Sequence, residues 1–516
     1  MSVLDGIDFF DFIALLIHEL GLDAATRYAG LESKTYILDE GFRGEADRFI
    51  ENLVKYYADN YASSNNDQIR QHIVDKGIPL DLYKAYCGNV RFRNNKDAVY
   101  YLVRKITASL LTYEVLLYAS QRAESMEQFL HHKDSLRKNG FAQLNSEKSV
   151  KETGYILLPD LGTFGDEKEI IKSTTKYEKI YLKGLIVLTA DELKTRNGQT
   201  YEVRNIIPPE YSHLREYPQD GKMVIAVSPI HREWLLIDRP RIEINPSNGT
   251  REYLFECDGV TDESLIINRV KAAYKIASKY GARILLFPEM YGTESLSNYA
   301  ADSIGITSDS NVPIVVMPSW WHDNLNTAPV LNEALLPVFD QAKHSSFIYT
   351  DDSKKEKYPE PSRENLKNKD HIVYLYHIPR IGRMCVCICK DFLMDTYRRM
   401  LSESLEASFM LIPAFSPEID HFLNCMGELR RAGSHGVMVN CCAAFYAGVE
   451  TADLEQNHDV GAVTLMRPVK FGTDLSSVKL LTSSCSGRCN EANCVFIITI
   501  TDDGNVFTEQ ILEEDS

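Results

Sequence analysis

Apolar residues recur at three- and four-residue intervals through the first quarter of the chain. In 41–62 (GFRGEADRFIENLVKYYADNYA) and again in 96–130 charged residues separate them, the pattern of helices that bury one face. Strand signals hardly interrupt this region, so residues 1 to about 140 are expected to form an α-helical accessory domain. A polar, Lys-rich stretch at 132–152 reads as a linker. Apolar runs at 154–158 (GYILL) and 179–189 (KIYLKGLIVLT), then Pro208 and Pro209, predict a small β-rich connector within 141–221.

From about residue 222 the pattern changes. MVIAVS (223–228), ARILLFPE (282–289), VPIVVMPS (312–319), IVYLYHI (372–378), RMCVCIC (383–389), SFMLIPA (408–414) and HGVMVNCC (435–442) are apolar runs of strand length. Segments at 262–280, about 393–406 and about 419–434 alternate with them as expected helices. Such alternation predicts an α/β core over 222–516.

Composition adds limits. At 516 residues the chain is too long for one typical core, so two or three domains are expected. Lys and Arg number 56 against 73 Asp and Glu, a balance of −17 that repels phosphate backbones and argues against nucleic acid as a partner. The partly apolar start carries Asp5, Asp8, Asp11, His18 and Glu19, which is unlike a secretory signal. No run approaches the roughly 20 apolar residues needed to span a bilayer. The eleven cysteines are odd in number and several lie in apolar strands, which points to reduced thiols and a cytoplasmic setting.

Two strands end in groups able to react. Leu285-Leu286-Phe287-Pro288-Glu289 must turn at Pro288, because proline cannot continue a central strand, and so presents Glu289 at the rim. The bland alternative is a carboxylate beside a helix start. In Cys385-Val386-Cys387-Ile388-Cys389 alternation sets the three thiols on one face, and Cys389 comes last, at a strand-to-helix turn. There a nucleophile is exposed, amide N–H groups can meet an oxyanion, and a helix N-terminus favours the thiolate. The alternative is a third buried cysteine.

Together, FPEM (287–290) and ICKDF (388–392) resemble the glutamate and cysteine motifs of the nitrilase (carbon–nitrogen hydrolase) superfamily. EASFMLIPA (406–414) and LRRAGSHGVMVNCCA (429–443) resemble the segments that follow the nucleophile, and the likeness extends over about 222–510. The resemblance implies a four-layer αββα sandwich, preceded here by the helical region, that pairs through its outer helices into a homodimer or higher homo-oligomer. It implies Cys389 as nucleophile, Glu289 as base and a lysine between them as the third catalytic residue. LNEALLPVFDQAKHSSF (331–347) is similar to the segment leading to that lysine, which makes Lys343 the choice; Lys354, Lys355 and Lys357 are rivals. A second glutamate often follows the lysine, and Glu356 and Glu360 are the candidates. The family pattern has an aromatic residue after the nucleophile; Lys390 stands there, and Asp391 is kept.

The implied reaction opens an amide, or less often a nitrile, through a thioester on cysteine, and calls for no metal or cofactor. A small-molecule amide or nitrile is the expected substrate, and the helical region offers a surface for a protein partner. The chief competing reading is a catalytically silent sensor or scaffold acting through that region. A zinc site at Cys485, Cys489 and Cys494, with distant His458, is a rival that lacks an evident fourth ligand. Trp320, Trp321 and His322 are candidate pocket residues, or aromatic packing beneath a loop.

Overall fold

A computed structural model describes residues 6–21, 39–62, 64–111, 147–159, 179–182, 185–194, 200–207, 222–244, 249, 251–298, 300–305, 312–349, 362–368, 371–378, 382–417, 419–429, 434–446, 458–465, 479–485, 492–501 and 506–514. The chain divides into two compact units, residues 1–162 with 172–209, and 163–171 with 210–516.

In the first unit the helical periodicity is realised as α1 (Phe9–Leu20), α2 (Glu40–Asn60), α3 (Asn66–Lys76), α4 (Leu80–Gly88) and α5 (Lys96–Leu110). Side chains that compete with the backbone elsewhere start these helices. The Asp8 carboxylate accepts from the N–H groups of Phe10 and Asp11, and Asn65 and Gln68 form a reciprocal capping box ahead of α3. Phe9, Phe12, Ile13, Leu16 and Ile17 of α1 are fully buried, so α1 lies inside the unit.

Residues 147–153, which polarity marks as linker, instead form a short helix α6 (Glu147–Thr153). It stops where Gly154 adopts φ 76° and donates to Val150 O at 2.8 Å. The strands β1 (Tyr155–Pro159), β2 (Lys179–Leu182) and β3 (Leu185–Thr189) form an antiparallel sheet in the order β1-β3-β2. Leu157, Leu185 and Val187 join the same hydrophobic core as the helices.

Along the second unit come β4 (Lys222–Val227), β5 (Leu236–Ile244), β6 (Arg251–Val260), α7 (Glu263–Lys279), β7 (Ile284–Leu286), β8 (Ile314–Val316), β9 (Trp320–His322), β10 (Leu325–Leu331) and β11 (Pro337–Ala342). There follow β12 (Ile348–Tyr349), β13 (Ser362–Glu364), β14 (Ile372–Ile378), β15 (Gly382–Val386), α8 (Lys390–Leu393), α9 (Asp395–Arg399) and β16 (Ala407–Ala414). The rest are α10 (Asp420–Leu429), β17 (His435–Asn440), β18 (His458–Leu465), β19 (Lys479–Cys485), β20 (Ala492–Thr501) and β21 (Val506–Glu514).

One sheet runs β9-β10-β8-β7-β4-β20-β21, with β11 paired to β10; its centre, β4-β7-β8, is parallel. Another contains β19-β18-β17-β16-β15-β14 in that order, with β15-β16-β17 parallel. Every residue of β15, β16 and β17 is buried, which is why these strands read as unbroken apolar runs. Helix α7 packs on β20, and Met426 and Leu429 of α10 meet Gly436 of β17. A smaller sheet, β12-β13-β6-β5, carries many charged residues and gave no apolar run to recognise. The expected helix at 393–406 is realised as α9 running directly into a π-helical turn at Met400–Ser404. The one at 419–434 is realised as Asp420–Leu429, with 430–433 outside the described residues. Among the described residues no helix is long and apolar enough to cross a membrane.

Gly292 lies just past the β7 turn, where its N–H donates to Ser319 O at 2.8 Å. A Cβ there would stand 2.4 Å from Pro318 O and 2.6 Å from Trp320 Cβ, so backbone must move. Gly292→Ala is expected to destabilise this unit by about 2–3 kcal/mol, read as a lowered midpoint in urea unfolding.

Candidate functional site

Both candidate groups sit just beyond the carboxyl ends of parallel strands, where open α/β sheets collect their ligands. After β7, the Phe287 N–H still pairs with Val316 O at 3.0 Å, but Pro288 has no N–H and the ladder ends. Glu289 N–H then crosses to Ala414 O at 3.3 Å, and Met290, at φ 80°, donates to Ser319 Oγ at 3.0 Å. After β15, Cys387 N–H bonds Leu411 O at 2.9 Å and Cys389 N–H bonds Pro413 O at 2.8 Å. Cys389 itself adopts φ 45° and ψ −106°, a strained conformation for a residue with a Cβ, as it opens α8. The adjacent carbonyls of Pro413 and Ala414, at the end of β16, thus hold the cysteine turn and the glutamate turn side by side.

The third group arrives from the other edge of the first sheet. Lys343 directly follows β11, its N–H bonded to Asn326 O at 2.8 Å. Its Nζ donates to Glu289 Oε1 and to Glu364 Oε2, each at 2.7 Å. Glu364 ends β13 and also accepts the Phe347 N–H at 3.0 Å. Asn326 Nδ2, from β10, donates to Glu289 Oε1 at 2.8 Å and to Glu364 Oε1 at 3.3 Å. The Cys389 Sγ donates to Phe415 O at 3.9 Å, and the charges of Glu289 and Lys343 both act on the thiol. Glu289 and Lys343 are 1% exposed, Glu364 and Asn326 0%, and Cys389 3%, so the whole network is desolvated.

Burial raises the proton affinity of Glu289, with the negative charge of Glu364 adding to it; the Lys343 ammonium, its hydrogen bond and the thiol contact work the other way. Burial alone would strip Lys343 of its proton, but Glu289, Glu364 and Cys389 outweigh it and hold the ammonium charged. Burial also pushes the Cys389 thiol well up, and the charge of Glu289 pushes it further. The expectation that a helix N-terminus would favour a resting thiolate is therefore not met: α8 has four residues, and a carboxylate faces the sulfur. The resting nucleophile is a thiol. Among the described residues no acceptor takes the N–H of Lys390, the first amide after the cysteine.

Asp391 links the lysine segment to the cysteine turn. Its Oδ2 accepts His344 N–H at 2.9 Å and its Oδ1 accepts Ser345 N–H at 2.7 Å, while burial pushes its carboxyl up to about 7.

Of the residues singled out in the sequence, the structure brings Glu289, Lys343 and Cys389 together. Lys354, Lys355, Lys357, Glu356 and Glu360 lie outside the described residues. The carboxylate found on Lys343 is Glu364, which sequence reasoning passed over, as it did Asn326. Trp321 stands opposite Asn326 in the β9–β10 register, whereas Trp320 and His322 stack on each other with ring centroids 4.1 Å apart. Cys489 lies outside the described residues, and Cys494 Sγ accepts from Gln510 Nε2 at 3.3 Å.

No family model matches this chain, and no curated protein does. Among solved structures it is similar to the C. elegans NitFhit protein, at 14% identity over 43% of this chain and 52% of that one, with a TM-score of 0.29. That match spans about half of the NitFhit length. It is also similar to the NitN amidase from Neterenkonia sp. AN1, at 13% identity over 57% of this chain and 93% of that one, with a TM-score of 0.28. Both are members of the nitrilase superfamily, the family that the sequence resembles. At these scores neither likeness bears on what this chain does, and the functional reading rests on the site.

Lys343→Met leaves Glu289 and Glu364 buried without their cation, and should cost about 3–5 kcal/mol of stability in urea unfolding near neutral pH. The loss should grow with pH. A carboxyl such as Glu289, whose folded proton affinity lies above its unfolded value of about 4.3, stabilises fully below that value and progressively less as pH rises through the folded one. Loss that is small and flat between about pH 5 and 8 would contradict this account of the network.

Proposed function

We propose that this chain is a carbon–nitrogen hydrolase of the nitrilase type, acting on amides in preference to nitriles, with Cys389 as nucleophile, Glu289 as base and Lys343 as the charge-stabilising group. The observation that carries the reading is a buried carboxylate, held by an ammonium at 2.7 Å, whose charge acts on a buried thiol at the neighbouring strand end. The proposed architecture for the second unit is the four-layer αββα sandwich; α7 on one sheet and α10 on the other support its outer layers.

In the proposed cycle Glu289 takes the thiol proton as sulfur attacks the amide carbon. The Nζ of Lys343 and the Lys390 N–H stabilise the oxyanion of the tetrahedral intermediate. Protonated Glu289 then gives its proton to the nitrogen, the carbon–nitrogen bond breaks, and ammonia or an amine leaves a thioester on Cys389. Water, losing a proton to Glu289, attacks the thioester; the acid departs and the proton returns to the thiol. The high proton affinity of Glu289 suits this shuttle, since a base matched to the working pH both accepts and returns a proton. Glu364 holds Lys343 from the far side and touches no reacting atom. The first unit is proposed as an accessory module for a protein partner.

The test is intact-mass spectrometry of wild type and Cys389→Ala after exposure to a panel of small amides and nitriles. An acyl adduct on wild type that is missing from Cys389→Ala is the expected result, and the added mass identifies the acyl group. Absence of adduct and turnover across the panel would favour a catalytically silent scaffold, a reading that the 3% exposure of Cys389 keeps in view.

A pH profile follows from the same roles. Glu289 must be ionised to accept the proton, so kcat/KM should fall as the solution is made acidic. Because burial raises this carboxyl, the half-maximal pH should lie above the ordinary glutamate value of about 4.3, and Glu289→Gln should lose at least about a hundredfold in kcat. A limb at or below the ordinary value would remove Glu289 from the role.

A further inference from the structure

We infer that Asn326 is a positioning residue that decides which oxygen of Glu289 receives the thiol proton, an inference that rests on the reading of Glu289 as the base of Cys389. Asn326 lies on β10, fully buried, with Nδ2 at 2.8 Å from Glu289 Oε1 and 3.3 Å from Glu364 Oε1. Ionised carboxylate oxygens only accept, so the nitrogen end of the amide must face them; the flipped amide would set oxygen against oxygen and lose both bonds.

Lys343 Nζ reaches the same Glu289 Oε1 at 2.7 Å. Two donors occupy the two lone pairs of that oxygen. Among the described residues no nitrogen donates to Oε2, which is therefore the oxygen left to receive a proton. Lys343 and Asn326 also bridge the same pair of carboxylates, the ammonium through Glu364 Oε2 and the amide through Glu364 Oε1. Glu289 is thereby fixed against rotation that would present its hydrogen-bonded oxygen to the sulfur.

A second observation separates this role from packing. Asn326 Oδ1 meets no hydrogen-bond donor among the described residues, although the side chain is fully buried. Buried amides that serve only structure are normally satisfied at both ends. Asn326 keeps one end unsatisfied and turns the other to the two carboxylates, with Met290 Sδ a more distant acceptor at 3.9 Å.

The test uses the full chain and follows alkylation of Cys389 by iodoacetamide across pH, read by peptide mass spectrometry so that the other cysteines do not interfere. Wild type, Asn326→Leu, Asn326→Asp and Glu289→Gln are compared, with circular dichroism and thermal unfolding to confirm folding. In Asn326→Leu, Glu289 loses a donor to its ionised form and should hold its proton to higher pH. The acid limb of Cys389 labelling should move up by about one unit, roughly a tenfold slower reaction on that limb. Asn326→Asp, nearly isosteric but with a third carboxylate in place of the donor, should move it further the same way, and it decides the question if the leucine variant does not fold.

Limbs in the folded Asn326 variants that superimpose on wild type, while Glu289→Gln abolishes the limb, would overturn the role of Asn326 and leave the base in place. A limb that also survives Glu289→Gln, or a wild-type Cys389 that takes no label at any pH, would overturn both.

Discussion

One ammonium held between two carboxylates in a site closed to water is the constraint on which the rest of this structure depends. Removing each ion from water costs several kcal/mol, and a single lysine cannot neutralise two glutamates. Fixed dipoles must make up the difference. The Phe347 N–H serves Glu364, and the Asn326 amide serves both acids. The members of this network come from separate places: Asn326 from β10, Lys343 from the end of β11, Glu364 from β13 and Glu289 from the turn after β7. The strand order of two sheets is needed to bring them to one point, and all belong to the second unit.

That charge arrangement also decides what kind of nucleophile Cys389 is. A thiol beside a lone cation would ionise early and rest as a thiolate. Here the nearest acidic partner is itself negative and the surroundings are dry, so the proton stays on sulfur until a base removes it. The same desolvation makes Glu289 a stronger base than an exposed glutamate, while the Lys343 ammonium pulls the other way. Opposed influences on one carboxylate leave its proton easily moved in either direction, which is what a reaction needs when it first takes a proton and later returns it.

Legibility in the sequence followed burial. β15, β16 and β17 are buried on both faces and so appear as apolar runs, and the residues that end such runs, Glu289 after Pro288 and Cys389 before Lys390, stand out against them. Lys343 was reached only through the family resemblance, because one lysine at a strand end has no pattern of its own. Glu364 was not reached at all. Its strand has three residues, buried–exposed–buried, too short for alternation to register, and nothing local separates it from Glu356 or Glu360. Asn326 was hidden for a related reason: in LNTAPVL it reads as one polar residue among small ones, and its partners come from strands distant in the chain. The helix expected at 393–406 is realised over 395–404, but apolar spacing does not reveal that its last turn is π-helical, which changes hydrogen-bond reach without changing composition.

The backbone at the end of β16 explains how thiol and base keep their spacing although both sit on turns. Cys389 is held in a left-handed conformation that costs of order 1–3 kcal/mol, and Met290 beside Glu289 is held at φ 80°. Neither conformation would persist in a free loop. Each turn is held by bonds to buried residues: Cys389 N–H to Pro413 O and Glu289 N–H to Ala414 O at the end of β16, and Met290 N–H to Ser319 Oγ in the turn between β8 and β9. Since Pro413 and Ala414 are consecutive, the separation of the two turns is set by one peptide unit of a fully buried strand. Asp391 extends the same logic to Lys343 by gripping the next two amides. The distances that matter for proton transfer are therefore properties of strand register, and a slip of β16 by one residue would part the thiol from its base while leaving every catalytic side chain in the sequence unchanged.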